Sequence, residues 1–155
     1  MMDNKHYINW NELDSLIRNL KSKIDHGKQK PDIIMGISRG GLVPGVMLSH
    51  LMDLPMIPLR WSTRDFLYSD EDTINDISQE IEEGKTILIV DDICDTGHTF
   101  HLLADFFDNI PYDIKNRILW ASIHVRAGTK FEPDYYSKRI DDQGWVVYPY
   151  EGADV

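Results

Sequence analysis

The chain has 155 residues, a formal net charge of −10 and an apolar fraction of 42%. That length suits one domain with one core, and that apolar content excludes general disorder. The acidic balance excludes sequence-independent binding to nucleic acid or to a polyanionic membrane, while small anions held by local amides and cations stay possible.

Leu13, Leu16, Ile17, Leu20 and Ile24 recur at helical spacing, with Arg18, Lys21 and Lys23 between them, and predict an amphipathic helix. Asn9 followed three residues later by Glu12 caps its start, and Gly27 with Lys28-Gln29-Lys30 marks its end. Residues 32–37 read as a short apolar strand, interrupted by Ser38-Arg39-Gly40-Gly41. A helix is expected over residues 42–51, with Pro44 tolerable near its first turn. Residues 56–61 form a further strand, for which Pro58 favours a sheet edge. Residues 62–72, with Arg64 and Asp65, are polar and without pattern, which marks a candidate lid. Ile74, Ile77 and Ile81 predict a weak helix before Gly84. Residues 85–90 are continuously apolar and largely β-branched, as in a strand buried on both faces. Helical character resumes over residues 100–107, and residues 118–125 and 145–148 are the last strand candidates. Strands alternating with helices predict an α/β fold with a mainly parallel central sheet flanked by helices, in a single domain over residues 1–155.

Two strand–loop–helix junctions carry the chemistry. In such sheets ligands sit beyond the carboxyl ends of the strands, where both junctions lie. In Ser38-Arg39-Gly40-Gly41 the glycines let backbone amides approach a ligand, and Arg39 adds a planar cation suited to phosphate oxygens. The second junction is more specific. Asp91 and Asp92 close an apolar strand and face opposite ways, which assigns them different tasks. Asp95 follows in the loop, and Thr96-Gly97-His98-Thr99 supplies hydroxyls and amides at a helix start, a phosphate cradle. Helix capping would account for one of these acidic residues but not for three around a glycine turn. Carboxylates suit ribose hydroxyls or the water shell of magnesium. Add a cradle for a terminal phosphate and a second anion site on the first loop, and phosphoribosyl pyrophosphate carries every group required.

Residues 87–99, Ile-Leu-Ile-Val-Asp-Asp-Ile-Cys-Asp-Thr-Gly-His-Thr, resemble the phosphoribosyl-pyrophosphate signature of type I phosphoribosyltransferases. Residues 37–45 resemble the pyrophosphate loop of the bacterial xanthine-guanine and hypoxanthine enzymes, and Tyr7-Ile8-Asn9-Trp10 and residues 144–151 sit where that subgroup has comparable segments. The resemblance implies the type I fold, with a small hood and a flexible lid loop. It implies Mg2+-dependent transfer of the phosphoribosyl group to a purine base in purine salvage, by a homodimer or homotetramer. It gives Asp91 and Asp92 the ribose hydroxyls and the hydrated metal, and Asp95 the proton on the base's imidazole nitrogen. It gives residues Thr96, Gly97, His98 and Thr99 the 5′-phosphate, and Ser38, Arg39, Gly40 and Gly41 the pyrophosphate. Trp145 would stack on the base and the backbone near Val146 would read its edge. The subgroup's base-reading lysine is replaced in His124-Val125-Arg126-Ala127-Gly128, so Arg126 is expected to donate to the base, or Lys130 to reach back.

Three features have plain readings beside any functional one. Cys94 is a small buried filler, His98 and His101 are exposed without a third metal ligand, and Trp145 has a plain core alternative to stacking. One cysteine permits no internal disulfide, residues 1–5 carry no apolar signal segment, and no stretch is long enough to span a membrane, so a soluble cytoplasmic protein is expected. The competing reading is a regulator of the same fold that senses phosphoribosyl pyrophosphate or a nucleotide without catalysis, and a third keeps the chemistry with a non-purine acceptor. Arg39 and Asp95 favour the enzyme, because a sensor needs neither a leaving-group cation nor a base.

Overall fold

The structure, a computed structural model, describes residues 4–61, 71–110 and 113–152, without the side chains of residues 71–74 and 76. Its elements in order are β1 (Lys5–Tyr7), α1 (Trp10–Asp25), β2 (Ile33–Ser38), α2 (Leu42–Met52), β3 (Met56–Arg60), α3 (Glu71–Glu82), β4 (Ile87–Cys94), α4 (His98–Asp108), β5 (Ile118–Arg126), β6 (Tyr135–Ile140) and β7 (Trp145–Val147). The central sheet has the order β3-β2-β4-β5-β6, and every pair in it is parallel. The mainly parallel α/β sheet flanked by helices is the one expected from the alternation of strands and helices.

Alternation along the strands builds a core on each face. Ile33, Met35, Ile37, Ile87 and Ile89 pack with Ile77, Ile81, Phe100, Leu103 and Phe107 of α3 and α4. Ile34, Leu88 and Val90 pack on the other face with Leu13, Ile17, Leu20 and Ile24 of α1 and Leu48 of α2. The buried stripe of α1 is the one its periodicity predicts, and each such side chain contributes about 1.5–3 kcal/mol on removal from water. The predicted capping box is present: Glu12 N donates to Asn9 Oδ1 at 2.8 Å and Asn9 N to Glu12 Oε2 at 3.3 Å. Pro58 lies on β3, an edge strand, where a missing amide donor is tolerated.

Four elements differ from the sequence expectation. β4 does not stop at Val90 but runs through both aspartates to Cys94, because Asp91, Ile93 and Cys94 pair with Ser122, His124 and Val125 of β5. β7 lies outside the central sheet and pairs in parallel with β1, a strand the sequence did not announce. β6 was also unannounced. It follows β5 by residues 127–134 without a helix, and Phe131 in that crossover packs on Phe100 and Trp120 at ring separations of 5.5 and 5.2 Å. Of the candidate lid, residues 62–70 lie outside the described residues, and α3 begins at Glu71. Among the described residues no helix is long and apolar enough to cross a membrane.

Candidate active site

β2 and β4 are hydrogen-bonded neighbours in parallel, so the loops at their carboxyl ends emerge side by side. The first loop turns tightly into α2: Gly41 N donates to Ile37 O at 2.8 Å and Leu42 N to Arg39 O at 3.1 Å. The Ser38–Arg39 peptide is cis, Arg39 is exposed, and no side chain caps the amides that open α2. In the second loop Gly97 stands at φ +89°, a left-handed conformation that a side chain disfavours, immediately before α4. Thr96 Oγ1 accepts from His98 N, the first amide of α4, at 3.2 Å, and the N-cap residue Gly97 has no side chain to cap the amides that follow. Open helix amides beside hydroxyls and an exposed guanidinium make a surface that attracts phosphate.

Asp91 and Asp92 lie between the two loops. Asp92 N donates to Asp91 Oδ1 at 2.9 Å and Ile93 N to Asp92 Oδ1 at 2.7 Å. The first loop rests on Asp92 so closely that a Cβ at Gly40 would collide with its carboxylate. Burial pushes the Asp91 carboxyl well above its ordinary range, and the neighbouring Asp92 charge adds to it. Burial pushes Asp92 up as well, against the hydrogen bonds it accepts.

Asp95 is half-exposed and fastened from behind. Arg126 Nε donates to Asp95 Oδ1 at 2.7 Å, with the two side chains 9% and 52% exposed respectively. The other guanidinium nitrogens of Arg126 donate to Asp142 O at 2.6 Å and to Gly144 O at 3.1 Å. Each nitrogen of Arg126, one of the two residues expected to meet the base, has a protein acceptor, so the side chain ties Asp95 to the segment leading into β7. Trp145, the next residue, is 53% exposed, whereas Val146 is buried. Lys130 is exposed, and its backbone amide donates to Thr96 O at 2.9 Å.

A further layer escaped the sequence reading. Tyr148 is buried, and its hydroxyl donates to Asp92 O at 3.1 Å and lies 2.7 Å from His124 Nδ1. Burial lowers the His124 pKa to about 4, so the ring is neutral near pH 7. Since the Tyr148 proton points at Asp92, Nδ1 of His124 carries the donated hydrogen. The Tyr150 hydroxyl reaches Gly40 O of the first loop and the Asp92 carboxylate of β4. The only sequence signal for this layer is the aromatic segment Tyr148-Pro149-Tyr150, whose partners are remote in the chain. Cys94 is buried, its thiol is pushed up by burial, and Sγ donates to Phe131 O at 3.3 Å, which fits a packing role. His98 and His101 are exposed, and among the described residues no group of three or more His, Cys, Asp or Glu side chains could hold a metal alone.

That last fact suits the donor set. Asp91 and Asp92 offer oxygen only, and both hold protons more tightly than ordinary carboxyls, which a nearby dication would reverse. The Ser122 hydroxyl, across the ladder from Asp91, is buried without a hydrogen-bond partner among the described residues. Mg2+ commonly takes one or two carboxylates and completes its shell with water and substrate oxygens, so these residues fit it without an all-protein cage.

A family model for the phosphoribosyl transferase domain matches residues 7–151. Xanthine-guanine phosphoribosyltransferase of Cereibacter sphaeroides is 24% identical over 156 aligned residues, spanning 95% of this chain and 87% of that protein. The enzyme of the same name from Idiomarina loihiensis is 25% identical over 149, spanning 94% and 86%. Among solved structures, a purine phosphoribosyltransferase from Pyrococcus horikoshii superposes with a TM-score of 0.70 at 29% identity, covering 98% of this chain and 97% of that one. A hypothetical protein from Neisseria gonorrhoeae with bound ppGpp has the same fold, with a TM-score of 0.76 at 20% identity, covering 99% and 93%. The chain therefore belongs to the phosphoribosyl transferase domain family, a family of transferases.

Proposed function

We propose that this chain transfers the 5-phosphoribosyl group from phosphoribosyl pyrophosphate to a purine base (hypoxanthine, guanine or xanthine), giving the nucleoside monophosphate and pyrophosphate. The observation that supports it best is the packing of the Gly40 loop against Asp92, which puts an arginine turn and an acidic-glycine turn around one space. Names of relatives favour a purine acceptor.

In this reading the amides and hydroxyls of residues 96–99 hold the 5′-phosphate. Asp91 and Asp92 hold the ribose hydroxyls and, through water, Mg2+, which when bound supplies positive charge against the leaving pyrophosphate. Arg39 with the amides of Ser38, Gly40 and Gly41 receives the pyrophosphate as the anomeric carbon gains oxocarbenium character. Asp95 takes the proton from the attacking base, and Arg126 holds Asp95 in place from behind rather than reading the base. Trp145 stacks on the base, and the backbone near Val146 reads its edge.

Release of pyrophosphate measured with hypoxanthine, guanine, xanthine, adenine and uracil, each with phosphoribosyl pyrophosphate and Mg2+, tests the assignment. Turnover of an oxopurine above adenine and uracil is expected. If no base reacts while phosphoribosyl pyrophosphate binds tightly, the regulator reading replaces the enzyme.

The homo-oligomer has support in α2. Its sequence, Leu42-Val43-Pro44-Gly45-Val46-Met47-Leu48, is apolar around the helix, and Val46 is 46% exposed. A helix apolar on every side is normally covered, and a second copy of this chain is the proposed cover. Sedimentation equilibrium is expected to give a multiple of the 18.0 kDa chain mass. A single-chain mass at micromolar concentration would remove the oligomer. A cytoplasmic role in purine salvage agrees with the lone buried cysteine.

A further inference from the structure

We propose that Tyr150 is a positioning residue that fastens the pyrophosphate loop to the metal-side carboxylate of Asp92, so that loop and carboxylate are set as one unit. The inference rests on the transfer reading above and adds a residue to it. The Tyr150 hydroxyl lies 3.2 Å from Gly40 O and 3.3 Å from Asp92 Oδ2. Its single proton is shared between an acceptor on the first loop and a carboxylate near the end of β4. Apart from Ser38, which pairs with Arg60 in the β2–β3 ladder, the first loop's other hydrogen bonds are local, Gly41 to Ile37, Leu42 to Arg39 and Gly45 to Gly41. Among the described residues the Tyr150 contact is the one side-chain hydrogen bond made to residues 38–41.

The tyrosine is itself fixed. Its ring stacks on Tyr148, with centroids 5.4 Å apart and planes 6° from parallel. Tyr148 is anchored in turn by His124 and by the carbonyl of Asp92. The turn that carries Tyr150, Pro149–Glu151, is closed by Tyr148 N donating to Glu151 Oε2 at 3.2 Å. Burial and the Asp92 charge push the Tyr150 hydroxyl upward, so it stays a donor at neutral pH. Asp92 Oδ1 is already taken by Ile93 N at 2.7 Å, so Tyr150 decides how the second oxygen is aimed. Gly40, lacking a Cβ, is what allows its carbonyl and the carboxylate to share one donor.

A loop tied only by local turns samples several positions, and an anion that needs loop and carboxylate together then binds more weakly by the fraction of time they are aligned. In the transfer reading, phosphoribosyl pyrophosphate and free pyrophosphate both meet the first loop and, through Mg2+, the Asp92 carboxylate, whereas the base meets Asp95 and Trp145. The Tyr150→Phe variant keeps the ring stack and deletes one oxygen. With Mg2+ present, calorimetry is expected to show about tenfold weaker binding of phosphoribosyl pyrophosphate and of pyrophosphate, as for the loss of one hydrogen bond to a charged group. The KM for the base and the melting temperature are expected to stay within about twofold and about 2 °C of the parent. If the parent turns over bases and the variant binds both ligands as the parent does, the positioning role is wrong and the transfer reading survives. Equal losses for donor and base, or a lowered melting temperature, overturn it in favour of plain packing. A parent that binds no phosphoribosyl pyrophosphate overturns both.

Discussion

The Asp95→Asn variant is expected to lose about 10²–10⁴-fold in turnover, the range by which a positioned general base accelerates proton transfer. Binding of phosphoribosyl pyrophosphate should change by no more than about threefold, because the proposed donor contacts lie elsewhere, on residues 38–41, 91–92 and 96–99. The substitution is selective because asparagine keeps an oxygen for Arg126. The 2.7 Å bond to Nε can persist, and with it the links from Arg126 to the carbonyls of Asp142 and Gly144 that carry Trp145. What disappears is the ability to accept a proton. Asp95 is 52% exposed but Arg126 only 9%, so the neutral replacement leaves a buried guanidinium without its counter-charge, and a lowered melting temperature is expected beside the lost turnover. Steady-state turnover with the preferred base, set beside calorimetric donor affinity, checks both halves. Unchanged turnover would remove Asp95 from the chemistry. Loss of donor affinity in proportion to turnover would recast it as a donor-binding residue.

The parts of this site differ in how far the chain announces them. Residues 87–90 are recognisable because a strand covered on both faces needs no alternation, only an unbroken apolar run rich in β-branched residues. α1 is recognisable because its buried positions and its Asn9–Glu12 box agree with each other. The continuation of β4 through Asp91 and Asp92 is hidden, since carboxylates have low strand propensity and only pairing with β5 keeps them extended. β6 is hidden for a similar reason: Ser137, Lys138 and Arg139 interrupt its apolar residues, as an edge strand permits. β1 and β7 have three residues each and pair across nearly the whole chain. The glycine-acidic loop could be read locally because its groups are contiguous. The guanidinium behind Asp95 is 31 residues away and the hydroxyl that reaches Gly40 is 110 away, so no spacing rule connects them. Sequence chemistry thus finds groups that act within one turn, and misses the struts that aim them.

Asp91→Asn is the second variant with a large effect, and its two consequences have opposite signs. Asp91 holds its proton more tightly in the folded chain than in the unfolded one, chiefly through burial and then through the Asp92 charge. The folded state therefore binds more protons. The stability of the ligand-free chain is greatest at low pH with respect to this group, and falls as pH rises from the ordinary carboxyl range through the raised folded pKa. Asparagine cannot ionise, so the variant escapes that loss and also relieves Asp92 of a neighbouring charge. It can keep accepting from Asp92 N, the bond that measures 2.9 Å in the parent. Without ligand, at pH 7, the variant is expected to melt above the parent by about 2–4 °C for each kcal/mol recovered, and the gap should close as pH is lowered toward the unfolded carboxyl pKa. Donor binding with Mg2+ should weaken by about 10–100-fold, the cost of losing a charged hydrogen-bond partner at a site built to hold cation and hydroxyl together. Thermal melts across pH, paired with calorimetric titration of phosphoribosyl pyrophosphate, read both effects in one preparation. A variant that melts lower at pH 7 would contradict the burial argument for Asp91. One that binds the donor as well as the parent would show that the adjacent carboxyls are not where sugar and metal are held. If the signs oppose as expected, the free chain keeps an unfavourable pair of half-buried acids because a cation and a ribose relieve them on binding, and its stability without ligand is the quantity given up.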